Sequence, residues 1–337
     1  MKRLFQSLVI SAVLSYGCGA HAGTLENVKQ ADVLRCGGNG QLAGFGLVNS
    51  QGGWTGMDVD FCRALAAAVL SDPDKGKMIP VTTVQRFPAI QANELDLLTH
   101  TVTATLTREA EVGLLFTDPL FYDGQGFMVK KEIGITSAKD ISGATVCIKP
   151  GTVTELNLAD FARVNNVEYQ PVVIEQVQQI VEAFLSDRCQ VLTDDGSALA
   201  AVRSEQSNPD DFVILPEVIS KEPLSPVVRA DDGRWFMVVR WVLHALIAAE
   251  ELGVTQANVD EMKNSENPDI QRLLGVTGDL GAKLGLDNAW AYNAIKAVGN
   301  YGEIFERNVG QGSELKLNRG LNALWTQGGL MYSNPIR

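Results

Sequence analysis

Ala89-Ile90-Gln91-Ala92-Asn93-Glu94-Leu95-Asp96-Leu97-Leu98-Thr99 and Ala183-Phe184-Leu185-Ser186-Asp187-Arg188-Cys189-Gln190-Val191-Leu192-Thr193 share one rhythm: a helix end, a polar turn, a short buried strand and a threonine. The second copy follows the first at a constant offset of 94 residues, from 89 to 183. A helix that returns to a short apolar strand is the repeating unit of a parallel sheet covered by helices. Two such units so far apart predict two similar α/β lobes. Two residues beyond the threonines stand Thr101 and Asp195. Ligands of open α/β sheets collect beyond the carboxyl ends of the strands, and facing lobes bring those ends to one cleft. Thr101 and Asp195 are therefore expected on opposite walls.

Working outward, strands are expected at 32–36, 79–83, 95–99, 126–130, 144–148, 170–174, 189–193 and 212–215, where short apolar runs alternate with helical periodicity. Asp58 is read as the cap of a helix carrying Phe61, Cys62, Leu65, Ala66 and Val69 at helical spacing. The stretch Asp123-Gly124-Gln125-Gly126-Phe127-Met128-Val129 joins the two copies, and its glycines suit a hinge. A second crossing falls in the proline-bearing segment 216–226. Lobe I is thus expected to comprise residues 23–125 and 222–337, and lobe II residues 126–221. From Trp235 to Leu252 the chain reads as one long amphipathic helix whose Trp241, Leu243 and Leu246 belong to the core, and a helical C-terminal extension continues with elements such as Asn288 to Val298.

The first 22 residues carry Lys2-Arg3, the apolar run Leu8 to Leu14, and Ala20-His21-Ala22 before Gly23, the three parts of a secretory signal peptide cleaved near Ala22. The apolar run is too short to span a bilayer, which takes about 20 residues. Cys18 could instead mark a lipoprotein, but Ser15-Tyr16-Gly17 lacks the aliphatic residue such a site uses. Export makes disulfides admissible for the four remaining cysteines. Pairing neighbours gives Cys36 with Cys62 and Cys147 with Cys189, one bond per lobe; four buried free thiols are the alternative. With 28 basic and 40 acidic residues the 337-residue chain carries −12, and loss of Lys2 and Arg3 makes it −14. A surface of that sign repels nucleic acid and anionic lipid.

Catalytic templates fail: neither His100 nor His244 sits in a zinc-protease motif, and no nucleophile elbow or Walker loop occurs. Gly38-Asn39-Gly40-Gln41-Leu42-Ala43 imitates a dinucleotide fingerprint, but the glycine-rich run that follows cannot open the required helix. It is read as a loop whose backbone approaches a small ligand. Neither a cofactor nor a metal is expected. Thr99-His100-Thr101-Val102-Thr103-Ala104-Thr105-Leu106-Thr107-Arg108 places alternating hydroxyls before a lone arginine, a donor set for a carboxylate. On the other wall Asp195 suits an ammonium, and Gly151-Thr152-Val153-Thr154-Glu155 reads as a helix start whose free amides favour an anion. An arginine opposite an aspartate is the minimum needed to read an α-amino acid zwitterion.

Gly56 to Asp60, Thr103 to Arg108, Thr117-Asp118-Pro119, Gly151-Thr152 and Asp195 resemble family 3 periplasmic solute-binding proteins of polar amino-acid ABC importers. The likeness is closest to the general L-amino-acid-binding subgroup and runs nearly end to end, through Tyr122 to Val129, Thr154 to Asp160, Leu215 to Leu224, Ala289 to Arg307 and Gly320 to Trp325. The resemblance implies a type II periplasmic binding protein fold, a monomer that closes around one L-amino acid and delivers it to permease subunits in the inner membrane. It implies that Arg108 grips the α-carboxylate with Thr103 and Thr152, beside Thr154, while Thr101 and Asp195 hold the α-ammonium. Arg86 matches a position facing the side-chain carboxylate in acidic-amino-acid binders, and Leu42 puts an aliphatic floor where relatives stack an aromatic ring. His100, Thr101, Val102 and Ala104 stand where Arg, Asn, Thr and Trp are usual, and Asp194 adds a second acid. Arg86 points to broad polar selectivity including Glu, Gln and Asp, and Asp194 to tolerance of basic ligands. A dehydratase of this fold, using Glu155, Asp194 or His100 as its acid, and a sensory binding protein feeding a receptor are the alternatives.

Overall fold

The structure, a computed structural model, describes residues 23–337; the expected signal peptide, its cleavage point and Cys18 lie outside the described residues. The chain opens with α1 (Thr24–Ala31), β1 (Leu34–Gly38), a small meander of β2 (Gln41–Leu42), β3 (Gly46–Val48) and β4 (Trp54–Thr55), and then α2 (Met57–Leu70) and β5 (Gly76–Pro80). α3 (Arg86–Gln91), β6 (Leu97–Leu98), α4 (Leu106–Val112) and β7 (Leu114–Phe116) follow. β8 (Phe121–Asp123) leads to β9 (Gln125–Lys130), β10 (Thr145–Ile148), α5 (Val153–Asn165), β11 (Gln170–Val173), α6 (Val177–Leu185), β12 (Val191–Asp195), α7 (Gly196–Ser204) and β13 (Phe212–Ile214). The chain returns through β14 (Glu222–Leu224) and β15 (Val227–Arg229) to α8 (Gly233–Glu251), α9 (Val259–Met262), α10 (Pro268–Leu273), α11 (Leu280–Leu284), α12 (Trp290–Val298) and α13 (Tyr301–Asn308).

Two five-stranded sheets result, ordered β5-β1-β6-β15-β7 and β11-β10-β12-β9-β13. In each, the first three strands are parallel and the fourth is antiparallel to its neighbours. The 94-residue echo therefore extends to whole sheets. In both, the fourth strand arrives from the other lobe, β9 on the outward crossing and β15 on the return. All eight expected strands form, displaced by up to three residues, whereas β2 to β4, β7, β8, β14 and β15 are additional. These are two or three residues long, too short to show a period.

Two expectations change. The helix at 57 is capped by Gly56, with Asp58 inside its first turn. Gly56 has φ 132°, and a Cβ there would meet the Phe45 carbonyl oxygen at 2.0 Å, so only glycine makes this entry. The glycine hinge also contracts. β8 and β14 pair with Asp123 opposite Glu222, Gly124 follows, and from Gln125 onward the chain is already β9 in the second sheet.

α2 is buried along nearly its whole length, because the lobe I sheet covers one side and α12 and α13 the other. Phe61 and Leu65 share a core with Leu243, Leu246, Trp290, Ile295 and Phe305. Each such side chain contributes about 1.5–3 kcal/mol on leaving water, which integrates the C-terminal helices into lobe I. Disulfides join Cys36 to Cys62, tying β1 to α2, and Cys147 to Cys189, tying β10 to the turn before β12; their Cα atoms lie 6.2 and 5.6 Å apart. No described helix is long and apolar enough to cross a membrane.

Candidate functional site

The strand ends of both sheets face a cavity of about 30 Å³. All nine residues singled out from sequence line it: Leu42, Arg86, Thr101, Thr103 and Arg108 from lobe I, and Thr152, Thr154, Asp194 and Asp195 from lobe II. His100 lines it too, with Asn39 of the glycine loop and Val153 of the helix start, and with Thr83, Lys149 and Ala198, which no sequence motif marked.

The lobe I wall is built by the turn after β6. Thr101 has φ 46°, a left-handed conformation that costs a β-branched residue energy and therefore needs outside support. Asp58 supplies it by accepting a hydrogen bond from the Thr101 backbone, and burial pushes the Asp58 carboxyl up to about 7. Thr105 then caps α4 by accepting from the Arg108 N–H, which brings Arg108 into the first helical turn. Its guanidinium is buried, donates to the Thr103 carbonyl at 2.7 Å and lies 5.2 Å from the Phe87 ring centre. Burial lowers the Arg108 pKa against the pull of Glu222 and Asp195.

Arg86, on α3, lies 4.9 Å from the same Phe87 ring centre. Burial and the charge of Arg108 push its pKa down to about 9, and its Nε has no partner. His100 Nε2 lies 2.9 Å from the Val81 carbonyl, so Nε2 carries the proton and Nδ1, 3.4 Å from Arg86 Nη1, is the acceptor. Burial and Arg86 hold His100 down to about 3, so it is neutral at physiological pH.

On lobe II, Thr152 caps α5, accepting from the Glu155 N–H at 3.2 Å. Asp194 and Asp195 end β12. Asp194 is 2.6 Å from Lys149 Nζ, with both side chains largely covered. This pairing bears on the expectation that Asp194 gives tolerance of basic ligands, because its charge is already answered within the wall. Lys149 was discoverable, since a lone cation directly follows the expected strand 144–148 and precedes the Gly-Thr helix start. Asp195 keeps a buried Oδ1 with no partner, and burial together with Asp123, Asp194 and Glu222 raises its pKa well above the carboxylate range.

The hydroxyls differ from the sequence picture. Thr103 donates to Glu222 at 2.5 Å, Thr152 to the Lys149 carbonyl at 2.8 Å, and Thr154 to Thr152 at 2.7 Å. A hydroxyl has one proton and two lone pairs, so Thr103 offers the cavity lone pairs only, while Thr152, which also accepts from Glu155 N–H and Thr154, is fully engaged within the wall. Donors for a carboxylate are the remaining Arg108 N–H groups and the free amides opening α5. The cavity thus sets a buried guanidinium and a helix N-terminus against an unanswered carboxylate.

This architecture and charge arrangement are those of a two-lobed solute-binding protein. The model of the bacterial extracellular solute-binding proteins, family 3, matches residues 34–311, and the chain belongs to this family. It is 51% identical to the general L-amino acid-binding periplasmic protein AapJ of Rhizobium johnstonii, over 99% of each chain. To the glutamate/glutamine/aspartate/asparagine-binding protein BztA of Rhodobacter capsulatus it is 49% identical, over 100% of this chain and 99% of the other. A solved ABC transporter periplasmic binding protein from Brucella ovis with glutathione bound superposes with a TM-score of 0.92 at 52% identity, covering 94% of this chain and 100% of that one. The fold is accordingly the type II periplasmic binding protein fold.

Proposed function

We propose that this chain, after losing a signal peptide near Ala22, works as a periplasmic monomer that closes lobe I (23–125 and 222–337) and lobe II (126–221) around one polar L-amino acid and hands it to membrane permease subunits. The observation that carries this reading is the buried Arg108 on one lobe facing the unpartnered Asp195 oxygen on the other. A zwitterion satisfies both only when the lobes are together, so its binding energy is differential in favour of closure. Arg108 and the α5 amides take the α-carboxylate, with Thr152 and Thr154 shaping that helix end. Asp195 takes the α-ammonium beside Thr101 and Thr103. Leu42 floors the cavity, and Arg86, with its unpartnered Nε, meets an acceptor on the ligand side chain. With Asp194 neutralised by Lys149, acidic and amide side chains such as those of Glu, Gln and Asp fit better than basic ones.

The same contacts argue against bond-making chemistry. Glu155 accepts from the Gly151 N–H at 3.0 Å, Asp194 is in its ion pair, and His100 gives its one proton to Val81, so each candidate acid is committed elsewhere. A thermal-shift screen of the standard L-amino acids tests the reading, since a ligand that binds the native state raises its melting temperature. Stabilisation by Glu, Gln or Asp is expected; no shift with any L-amino acid would refute it.

A further inference from the structure

Glu222 lies at the junction of the hinge and both walls. It is 1% exposed and accepts three hydrogen bonds: from Thr103 Oγ1 of lobe I at 2.5 Å, from Ser220 Oγ on the returning crossing at 2.5 Å, and from Asn157 Nδ2 of α5 at 2.8 Å. The backbone reinforces the grip. Ala104 N–H donates to the Pro223 carbonyl at 3.0 Å, and Thr103 bridges to Leu224, so the hinge strand is zipped to the segment that carries the site.

We propose that Glu222 is a positioning residue for ligand recognition, which fixes the Thr103 hydroxyl as an acceptor toward the cavity and joins that orientation to the closed placement of α5 through Asn157. An ionised carboxylate can only accept, so it must draw the Thr103 proton inward. The oxygen's lone pairs are then left for the ligand ammonium, beside Asp195. A freely rotating hydroxyl would serve a carboxylate or an ammonium equally and would discriminate neither. Asn157 contributes from the opposite lobe, so the full three-donor set exists only when the lobes approach. This inference rests on the amino-acid-binding reading and adds to it the residue that enforces the ammonium requirement.

The test compares L-glutamate with glutarate, which keeps both carboxylates and lacks the ammonium, by titration calorimetry on wild type, Glu222→Gln, Thr103→Val and Thr103→Ser. The neutral amide introduced by Glu222→Gln accepts fewer hydrogen bonds and leaves the Thr103 proton less firmly placed. The preference for L-glutamate over glutarate should fall by about tenfold or more in Glu222→Gln and in Thr103→Val, the scale of one hydrogen bond to a charged group, and return in Thr103→Ser. A merely structural role would weaken both ligands together and leave the ratio unchanged. An unchanged ratio in Glu222→Gln overturns the inference while leaving the amino-acid reading intact. If Glu222→Gln does not fold, Glu222→Asp, which shortens the carboxylate's reach to Thr103, takes its place with the same two outcomes. Failure of the wild type to bind any standard L-amino acid overturns the functional reading, and this inference with it.

Discussion

Replacing Arg108 isolates the central interaction. Its guanidinium is buried and opposes Asp195 across the cavity. One of its groups is spent on the Thr103 carbonyl at 2.7 Å, which orients the fork and leaves the rest for the ligand carboxylate. Removing one partner of a buried charged pair costs about 3–5 kcal/mol, so Arg108→Ala should weaken the tightest-binding L-amino acid by roughly 10²- to 10³-fold or more. Arg108→Lys keeps a charge but loses the planar fork, and should fall between, at about 10- to 100-fold. The ligand-free melting temperature should hold steady or rise in Arg108→Ala, because burial already disfavours the charged guanidinium in the empty cavity. Calorimetric titration with parallel thermal melts reads both quantities. Binding within threefold of wild type in Arg108→Ala would sink the clamp, whatever the melting temperature does.

Other outcomes follow from the same contacts. Burial and the surrounding acids raise the Asp195 pKa, and an ammonium needs the ionised form, so affinity should fall as pH drops through that raised range; Asp195→Asn should weaken binding by about tenfold or more and flatten the profile in calorimetry across pH. Lys149→Met unmasks Asp194, and in competition assays the preference should move toward L-lysine and L-arginine; no movement would mean that Asp194 does not face the ligand. For Asp58 the folded pKa, about 7, lies above the unfolded value, so its protonated form favours the fold: that stability is complete below about pH 4 and drains as pH rises to about 7. Asp58→Asn should therefore gain melting temperature relative to wild type between pH 4 and pH 8. The Cys36–Cys62 bond closes a 26-residue separation, so Cys36→Ser with Cys62→Ser should lose about 3.5 kcal/mol in chemical denaturation, and thiol titration of the unfolded wild type should find none without reductant.

The sequence exposed the lobes because each carries the same helix, polar turn and apolar strand at an offset of 94 residues, and those strands survive as β6 and β12. It exposed the walls because a site beyond strand ends inherits its place from the sheet, which is why Thr101 and Asp195 could be set opposite each other. Side-chain commitments were hidden. Whether Thr103 gives its proton to a ligand or to Glu222 depends on a residue 119 positions away, and no local pattern reports it. Asp194 read as a free acid because Lys149 reaches it from a neighbouring strand end, a contact made by parallel pairing of β10 and β12. The cap at 57 was misplaced for the opposite reason: Asp58 has the right chemistry, but the crowding of Gly56 against Phe45 sets the start of α2.

The position of β15 governs the order in which the chain can fold. It lies between β6 and β7, so the lobe I sheet cannot be completed until a strand from residues 227–229 arrives, more than a hundred residues after β7 has been made. All five strands of the other sheet fall within residues 125–214, and that lobe can assemble from one continuous stretch. Because non-local pairing waits on loop closure, lobe II is expected to form first and hold the two crossings near each other for the returning strand. A chain threaded across a membrane amino end first would then leave lobe I unfinished until its last third emerged, with lobe II already assembled.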